Sequence, residues 1–427
     1  MIASKQEAAP VGGELTPGPE LAALAPAERF TPEALASLSG PARDQAIAQL
    51  HQTHGNAAVN DLLDAQSPAG EQPAGAGGAT AEQAVTLSPA AIADARGYHR
   101  LQPTRYPPKV MIEIQRALGV GESGVADDAT VLAIAAFQAR INRERQPTPP
   151  LQVDGKAGPR TLPILIPQGL ATEAQLDAYT SDVKGKHAEL AKETPAQRAT
   201  ELLALINARL AAVGVPPCTL GKESGGDASQ FHAGDWTIDM SARELADPDG
   251  AAATIYHEAR HAEQAFRIAR MLAGRGKNAA QIAAELGLEK TEIADAAVKV
   301  PFAPGTVEAT EAAGWHDPEI GHQPSKQVYA ALGDTALDLT LAIADDLEQP
   351  SPAHHAAALA SFARQSKAYL AYRDLPNEYD GFFLGDKVAD GLGHARSPTP
   401  TFDDMVAQVK KMPPDKIAEL RTMRRGH

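Results

Sequence analysis

The stretch that constrains this chain most is TIYHEARHAEQAFRIARMLAG, residues 254–274. It places His257 and His261 four residues apart, with Glu258 directly after the first histidine. On an α-helix, residues four apart lie on the same face, so both imidazoles can reach one ion. Catalytic zinc takes three protein ligands and a water, and a glutamate beside the first histidine can act as the general base. The stretch therefore predicts a zinc-binding helix with Glu258 as the catalytic residue.

The residues around this motif favour a helix. Asp247 and Asp249 suit the positive end of the helix dipole, and Gly274 suits its C-terminal end. One face is predicted to be buried, because apolar residues recur near helical spacing at Ile255, Ala262, Phe266, Ala269 and Leu272. The same letters also fit a charged surface helix whose histidines are incidental.

A short strand is predicted just before this helix. Trp236, Ile238 and Met240 alternate with polar neighbours, which is typical of a half-buried strand. A strand, a loop and an HExxH helix follow one another in zincin metallopeptidases, and residues 196–395 resemble that peptidase domain. The resemblance implies a Zn²⁺ cofactor and a protein or peptide substrate that pairs with the edge strand.

The third zinc ligand is suggested by a second motif, YRDLPNEYDGFFLG, at residues 372–385. It resembles the LPxExxA pattern of zincins with a glutamate ligand, and the resemblance implies Glu378 as that ligand. Gly381 departs from the pattern, since alanine is commoner there. The residues after His261 lack the HExxHxxGxxH extension, so a set of three histidines is not expected.

Other candidates for the third ligand lie in VEATEAAGWHDPEIGHQ, residues 307–323, namely Glu311, His316 and His322. The glycines and prolines of that stretch predict a loop. Two further sets of side chains are candidates for supporting roles, although each is also explained by packing or by exposure. The carboxylates that could orient an imidazole are Asp380 and Asp386, and the phenols that could stabilise an oxyanion are Tyr256, Tyr372 and Tyr379.

Residues 1–98 are rich in Ala, Pro and Gly, and SPAGEQPAGAGGATAEQ at 67–83 is typical of a flexible linker. A short helical motif is predicted within residues 28–65. Its segment IAQLHQTHGNAAVNDLL resembles the N-terminal LQxxxGNxAVxxLL motif of effectors associated with extracellular contractile injection systems. The resemblance implies an injection-particle component as a partner. The alternative is a helical hairpin that carries no address.

Residues 99–168 resemble the three-helix peptidoglycan-binding-like domain. The residues that carry the resemblance are Ile114–Gln115, Phe137–Gln138, Asp154–Gly155, Gly158–Pro159 and Thr161. The departure is a longer insertion, NRERQPTPP, before the last element. The resemblance implies peptidoglycan as a partner, but the same small fold also serves as a docking domain, and a fold alone does not identify a ligand.

Composition narrows the classes of partner. The net charge of −15 at pH 7 opposes binding to nucleic acid. The single cysteine, Cys218, excludes a disulfide within the chain. No apolar run has the length of a membrane span, and the first twenty residues lack the core of a secretory signal. We therefore expect a protein that is cytoplasmic as made, and the resemblance of its N-terminal motif implies delivery to a target cell by an injection particle.

These patterns predict a mainly α (α+β) chain. The expected parts, in order, are a flexible N-terminal region 1–98, a peptidoglycan-binding-like domain 99–168, a linker helix 169–195, a zincin-like domain 196–395 with a small sheet and many helices, and a helical tail 396–427. The predicted function is that of a zinc metallopeptidase effector. The alternative is a non-catalytic cargo or wall-binding protein with an inactive zincin fold, and Glu258 speaks against it because a structural site needs only ligands.

Overall fold

The computed structural model describes residues 85–221, 229–316, 324–396 and 400–425. They belong to the second of two compact units of the chain, Gln83–His427. The described residues are mainly helical with one small sheet, which confirms the predicted fold class. The motif predicted at 28–65, the linker at 67–83 and His322 lie outside the described residues.

The α-helices fall into three groups along the described residues. Those before the sheet are α1 (Pro89–Arg100), α2 (Pro108–Leu118), α3 (Asp128–Arg145), α4 (Leu162–Leu165), α5 (Glu173–Leu190) and α6 (Pro195–Ala212). The next group is α7 (Pro248–Gly274), α8 (Ala279–Leu286), α9 (Thr291–Lys299) and α10 (Val307–His316). The last group is α11 (Pro324–Glu348), α12 (Pro352–Arg373), α13 (Pro376–Leu392), α14 (Phe402–Lys411) and α15 (Pro414–Arg425).

The sheet consists of β1 (Thr219–Leu220), β2 (Gln230–His232) and β3 (Thr237–Asp239). Its order is β1-β3-β2, with β3 parallel to β1 and antiparallel to β2. Strand β2 is therefore an edge strand. Trp236 and Ile238 are buried, as the alternating pattern predicted.

Helix α7 is the central element of the fold. It begins after Asp247, whose carboxylate accepts a hydrogen bond from the backbone N–H of Gly250 at 3.0 Å, and it ends at Gly274. This bond satisfies an N–H that the first turn leaves without a helical partner. Both ends agree with the prediction, and so does the buried apolar face. Helices α6, α9, α10 and α13 pack around α7.

One hydrophobic core spans most of the described residues. It joins Tyr106 and Ile134 of the predicted 99–168 module, Tyr179 of α5 and Phe266 of α7. A polar contact also joins the predicted 99–168 module to α10: the Thr310 hydroxyl donates to the backbone carbonyl of Arg105 at 2.7 Å. The core contains residues on both sides of positions 168 and 195, so it does not mark a domain boundary at either position. The domain bounds expected there stay predictions.

A second, smaller core is formed by α11, α12, α14 and α15, which we call the helical lobe. Its buried residues are Leu339, Ile343, Ala344, Ala358, Val409 and Ile417. Arg421 of α15 donates to Asp345 at 2.6 Å and to Glu348 at 2.8 Å, so the predicted C-terminal tail is packed against α11. None of the described helices is both long enough and apolar enough to span a membrane.

Candidate metal centre

Helices α7 and α13 bring three potential metal ligands together. His257 and His261 come from successive turns of α7, and Glu378 comes from the first turn of α13. The Nε2 atoms of the two imidazoles are 3.0 Å apart. Glu378 Oε2 lies 3.7 Å from Nε2 of His257 and 3.4 Å from Nε2 of His261. The three ligand atoms all lie within 4.8 Å of one another, so they could hold one metal ion. The described residues contain this one group of three or more His, Cys, Asp or Glu side chains with such spacing.

The three atoms fit a zinc ion in their spacing and in their chemistry. Ligands 2.0–2.2 Å from one tetrahedral zinc ion are about 3.3–3.6 Å apart, and the three separations bracket that range. Glu378 Oε2 is buried and has no hydrogen-bond partner among the described residues. Its polar neighbours include the two imidazole nitrogens, and a metal cation among the three atoms would bind the carboxylate oxygen directly.

The remaining nitrogen of each imidazole is held by another group. Nδ1 of His261 lies 2.9 Å from Oε1 of Gln264. The Nδ1 side of the His257 ring lies against Gly381, and the ring of Phe382 packs against it with the ring centres 4.5 Å apart. Such contacts orient a ligating ring, so that Nε2 of each histidine faces the centre of the cluster.

Gly381 is the position where the sequence departs from the LPxExxA pattern. A Cβ atom placed on it would lie 3.0 Å from Cε1 of His257 and 3.3 Å from Cε1 of His261. Helix α13 therefore passes over both imidazoles so closely that a methyl group there would press on them. The departure has a steric reason in this structure.

Glu258 lies beside the cluster but is not one of its three corners. Its Oε2 accepts a hydrogen bond of 2.7 Å from the backbone N–H of Phe231 in the edge strand β2. Its Oε1 is 3.9 Å from Nε2 of His257. Burial raises the pKa of Glu258 to about 7, which is near the value that suits a general base at neutral pH.

The charges of the cluster are unevenly divided in the absence of an ion. Burial and, to a smaller extent, the neighbouring His261 together lower the pKa of His257 to about 3. Burial also lowers the pKa of His261, but the negative charges of Glu378 and Glu258 outweigh it and raise the pKa to about 10. Burial raises the pKa of Glu378, whereas His261 lowers it more strongly, to about 2. The cluster thus holds a neutral His257 and an ion pair of His261 with Glu378.

The alternative third ligands lie elsewhere. Glu311 is buried and accepts hydrogen bonds from Arg260 at 3.3 Å and from Arg267. Nε2 of His316 lies 3.0 Å from a carboxylate oxygen of Glu285. Both belong to helix α10, so the prediction of a loop was wrong for residues 307–316.

The carboxylates considered for a supporting role differ in their surroundings. Asp380 accepts hydrogen bonds from Gln264 at 2.8 Å and from Arg260 at 2.7 Å. Because Gln264 also contacts His261, it connects Asp380 to a histidine of the cluster. Asp386 is 3.8 Å from the guanidinium of Arg373.

The tyrosines predicted as candidates have other contacts. Tyr256 is fully buried, and its hydroxyl donates to the backbone carbonyl of Leu170 at 2.6 Å. The ring of Tyr379 lies under the guanidinium of Arg160 at 5.2 Å. Tyr372 packs beside Tyr329, with ring centres 5.6 Å apart.

Tyr329 is the residue that sequence reasoning missed. It lies in α11, and its hydroxyl donates to Glu378 Oε1 at 2.8 Å. The sequence of α11 gives no signal that marks Tyr329 as functional. Its contact with Glu378 joins residues 49 positions apart, and local sequence patterns do not report contacts at that separation.

Comparison with known proteins found no match. No protein-family model, no curated protein and no solved structure matches this chain.

Proposed function

We propose that this protein is a zinc-dependent peptidase in which His257, His261 and Glu378 bind Zn²⁺ and Glu258 is the general base. The observation that carries the proposal is the convergence of three ligand atoms: the buried Glu378 Oε2, which accepts no hydrogen bond of normal geometry, lies 3.7 and 3.4 Å from Nε2 of His257 and of His261. Nitrogen and carboxylate ligands in this number are typical of a catalytic zinc site with a position left for water.

The second support is the number of ligands that the described part of the chain supplies. Among the described residues, no further His, Cys, Asp or Glu joins the cluster of three. A structural zinc site is closed by four protein ligands, whereas a catalytic one keeps an open position. Glu258, held at its own place by Phe231, supplies the base that a structural site does not need.

The chemistry divides between the ion and the protein. Bound Zn²⁺ would act as a Lewis acid on the carbonyl oxygen and would lower the pKa of the attacking water. Glu258 accepts the proton of that water and passes a proton to the amine nitrogen as the C–N bond breaks. One water is consumed, and the products are a carboxylate and an amine.

The substrate is proposed to be an extended peptide. The backbone N–H of Phe231 donates to Glu258, so the base lies beside the edge strand β2. An edge strand offers backbone groups with which a peptide can pair as an added strand. A peptide bound in this way would run past the metal ligands.

The experiment that tests the proposal is metal analysis and peptide hydrolysis with Glu258→Gln. We expect close to one zinc per chain in both proteins, because the imidazoles and Glu378 are unchanged. An amide oxygen can still accept from Phe231, but it cannot take a proton, so hydrolysis is expected to fall by about 10²- to 10⁴-fold. Activity within a few-fold of wild type, or a wild-type protein without stoichiometric zinc, would contradict the proposal.

We also propose that residues 28–65 address the protein to an injection particle, on the basis of their sequence motif. The test is deletion of residues 1–66. The shortened protein is expected to keep its zinc and its hydrolytic activity while it no longer loads into particles. Loss of zinc on deletion would instead assign the segment to the catalytic fold.

A further inference from the structure

We propose that Gln264 is a positioning residue that fixes the tautomer of His261 and thereby decides which ring nitrogen meets the metal. The inference rests on the proposed zinc site, and it concerns a side chain that does not touch the ion. Gln264 lies one helical turn after His261 on α7 and is buried.

The orientation of the Gln264 amide follows from its partners. Its Nε2 atom lies 3.0 Å from the backbone carbonyl oxygen of Asn377 and 2.8 Å from Oδ2 of Asp380. A carbonyl oxygen can only accept a hydrogen bond. The same Oδ2 of Asp380 accepts from Nε of Arg260 at 2.7 Å, as expected of an ionised carboxylate. Two acceptors therefore require the NH₂ end of the amide to face them.

The other end of the amide then determines the state of His261. Oε1 of Gln264 lies 2.9 Å from Nδ1 of His261, and an amide oxygen can only accept. Nδ1 must therefore carry a proton. The lone pair that remains for a metal is on Nε2, the atom that lies 3.4 Å from Glu378 Oε2.

The reversed amide would be costly. It would set Oε1 against two acceptors inside a site where Gln264, Asp380 and Arg260 are all nearly without exposure to water. Buried polar groups that lose their partners cost more than groups at a surface, where water replaces the partner. Burial thus holds the amide in one orientation.

Arg260 anchors the far end of this chain of contacts. It is fully buried and donates to Asp380 from Nε and to Glu263 from Nη1 at 2.6 Å. Its guanidinium also lies over the ring of Trp315 at 5.0 Å. Since an arginine does not lose its proton in proteins, Asp380 has a permanent cationic partner.

The chain of contacts has a geometric consequence for the whole cluster. It runs from Arg260 of α7 to Asp380 of α13 and back through Gln264 to His261. Helix α13 also carries Glu378. The contacts that set the tautomer of one ligand therefore also fix the position of the helix that supplies another.

The first test uses wild-type protein labelled with ¹⁵N-histidine and loaded with ¹¹³Cd²⁺. We expect the metal to couple to Nε2 of His261, and we expect Nδ1 to carry a proton that exchanges slowly with water. Coupling to Nδ1 would overturn the proposal without any variant.

The second test compares Gln264→Met with Gln138→Met in zinc competition titrations. Methionine keeps the length of the side chain and removes both hydrogen-bonding ends. Gln138 is a matched control, since its buried amide donates to Asp154 and Thr161 at 3.0 and 3.1 Å, away from the cluster. Gln264→Met is expected to weaken zinc binding about 10- to 100-fold, and Gln138→Met to leave it unchanged.

The outcomes separate a positioning role from a structural one. Equal zinc affinity in all three proteins, or an equal loss in both variants, would overturn the proposal. If Gln264→Met does not fold, Asp380→Asn tests the same relay, because it frees the amide to turn and should introduce the second tautomer of His261. If the wild-type protein takes up no zinc, the peptidase proposal fails. The role of Gln264 is then tested by the exchange rate of the Nδ1 proton of His261, which should be slow in wild type and faster in Gln264→Met; equal rates would overturn that role.

Discussion

The hydroxyl of Tyr329 donates a hydrogen bond of 2.8 Å to Oε1 of Glu378, while Oε2 of the same carboxylate faces two imidazoles. Tyr329 belongs to α11 in the helical lobe, and Glu378 belongs to α13 in the main core. The bond therefore ties the lobe to the candidate metal ligand. A donor on one carboxylate oxygen directs the other oxygen toward a cation, which is the usual function of a hydrogen bond to a ligating carboxylate.

Replacing Tyr329 by phenylalanine is expected to weaken zinc binding up to about tenfold, the low end of the effect of such partners. The loss is limited because Nδ2 of Asn377 also contacts Glu378 Oε1, at 3.4 Å. The control is Tyr369→Phe, since Tyr369 packs against Tyr372 in the same aromatic group but makes no hydrogen bond to Glu378 among the described contacts, and its ring lies under the guanidinium of Arg373 at 5.9 Å. Competition titration with a chelator measures both. An equal effect of the two variants would show that Tyr329 acts through packing alone.

The sequence predicted the parts of the fold that depend on neighbours along the chain. The start of α7 follows from Asp247, which caps it, and its buried face follows from the spacing of apolar residues. The spacing of His257 and His261 on one face is equally local. Glu378 came from a resemblance between motifs, because no local pattern shows that a residue 117 positions after His261 will lie 3.4 Å from it.

The parts that could not be predicted are long-range contacts of ordinary residues. Arg260 and Asp380 are 120 positions apart, and neither differs in the sequence from an exposed charge on a helix. The wrong loop at 307–316 has a related cause. A glycine such as Gly314 favours a break in a sequence pattern, but this one lies inside α10, where a Cβ atom would be 3.1 Å from Cβ of Pro159. A glycine required by packing between helices looks the same in a sequence as a glycine that ends one.

The third ligand is tested by comparing Glu378→Ala with His316→Ala. Loss of Glu378 leaves two imidazoles, so zinc affinity is expected to fall at least about tenfold and peptide hydrolysis to disappear. His316 contacts Glu285 rather than the cluster, so its replacement should leave zinc close to one per chain. Metal content after dialysis against a weak chelator measures the difference. The reverse result would place the third ligand outside α13.

The close passage of α13 over the imidazoles is tested by Gly381→Ala and Gly385→Ala. A Cβ atom on residue 381 would lie 3.2 Å from Nδ1 of His257, and one on residue 385 would meet Cβ of His257 at an ordinary 3.5 Å. Alanine favours a helix over glycine by roughly 1 kcal/mol, so both changes should help the helix itself. We expect zinc affinity to fall in Gly381→Ala only, and Gly385→Ala to keep zinc while its melting temperature stays level or rises. Unchanged zinc binding in Gly381→Ala would show that the helix can shift.

Zinc uptake is expected to release protons, and the protonation state of His261 determines how zinc affinity changes with pH. Without metal its pKa is raised to about 10, so at pH 8 the imidazole is charged, whereas a ligating imidazole must be neutral. His257, with a pKa of about 3, and Glu378, with a pKa of about 2, are already in their ligating forms and release nothing. Binding at pH 8 should therefore release at least about one proton, the one from His261, and the apparent affinity should rise with pH up to about 10. Calorimetry in buffers of different ionisation enthalpy counts that proton. A binding enthalpy independent of the buffer would mean that His261 is already neutral in the metal-free protein.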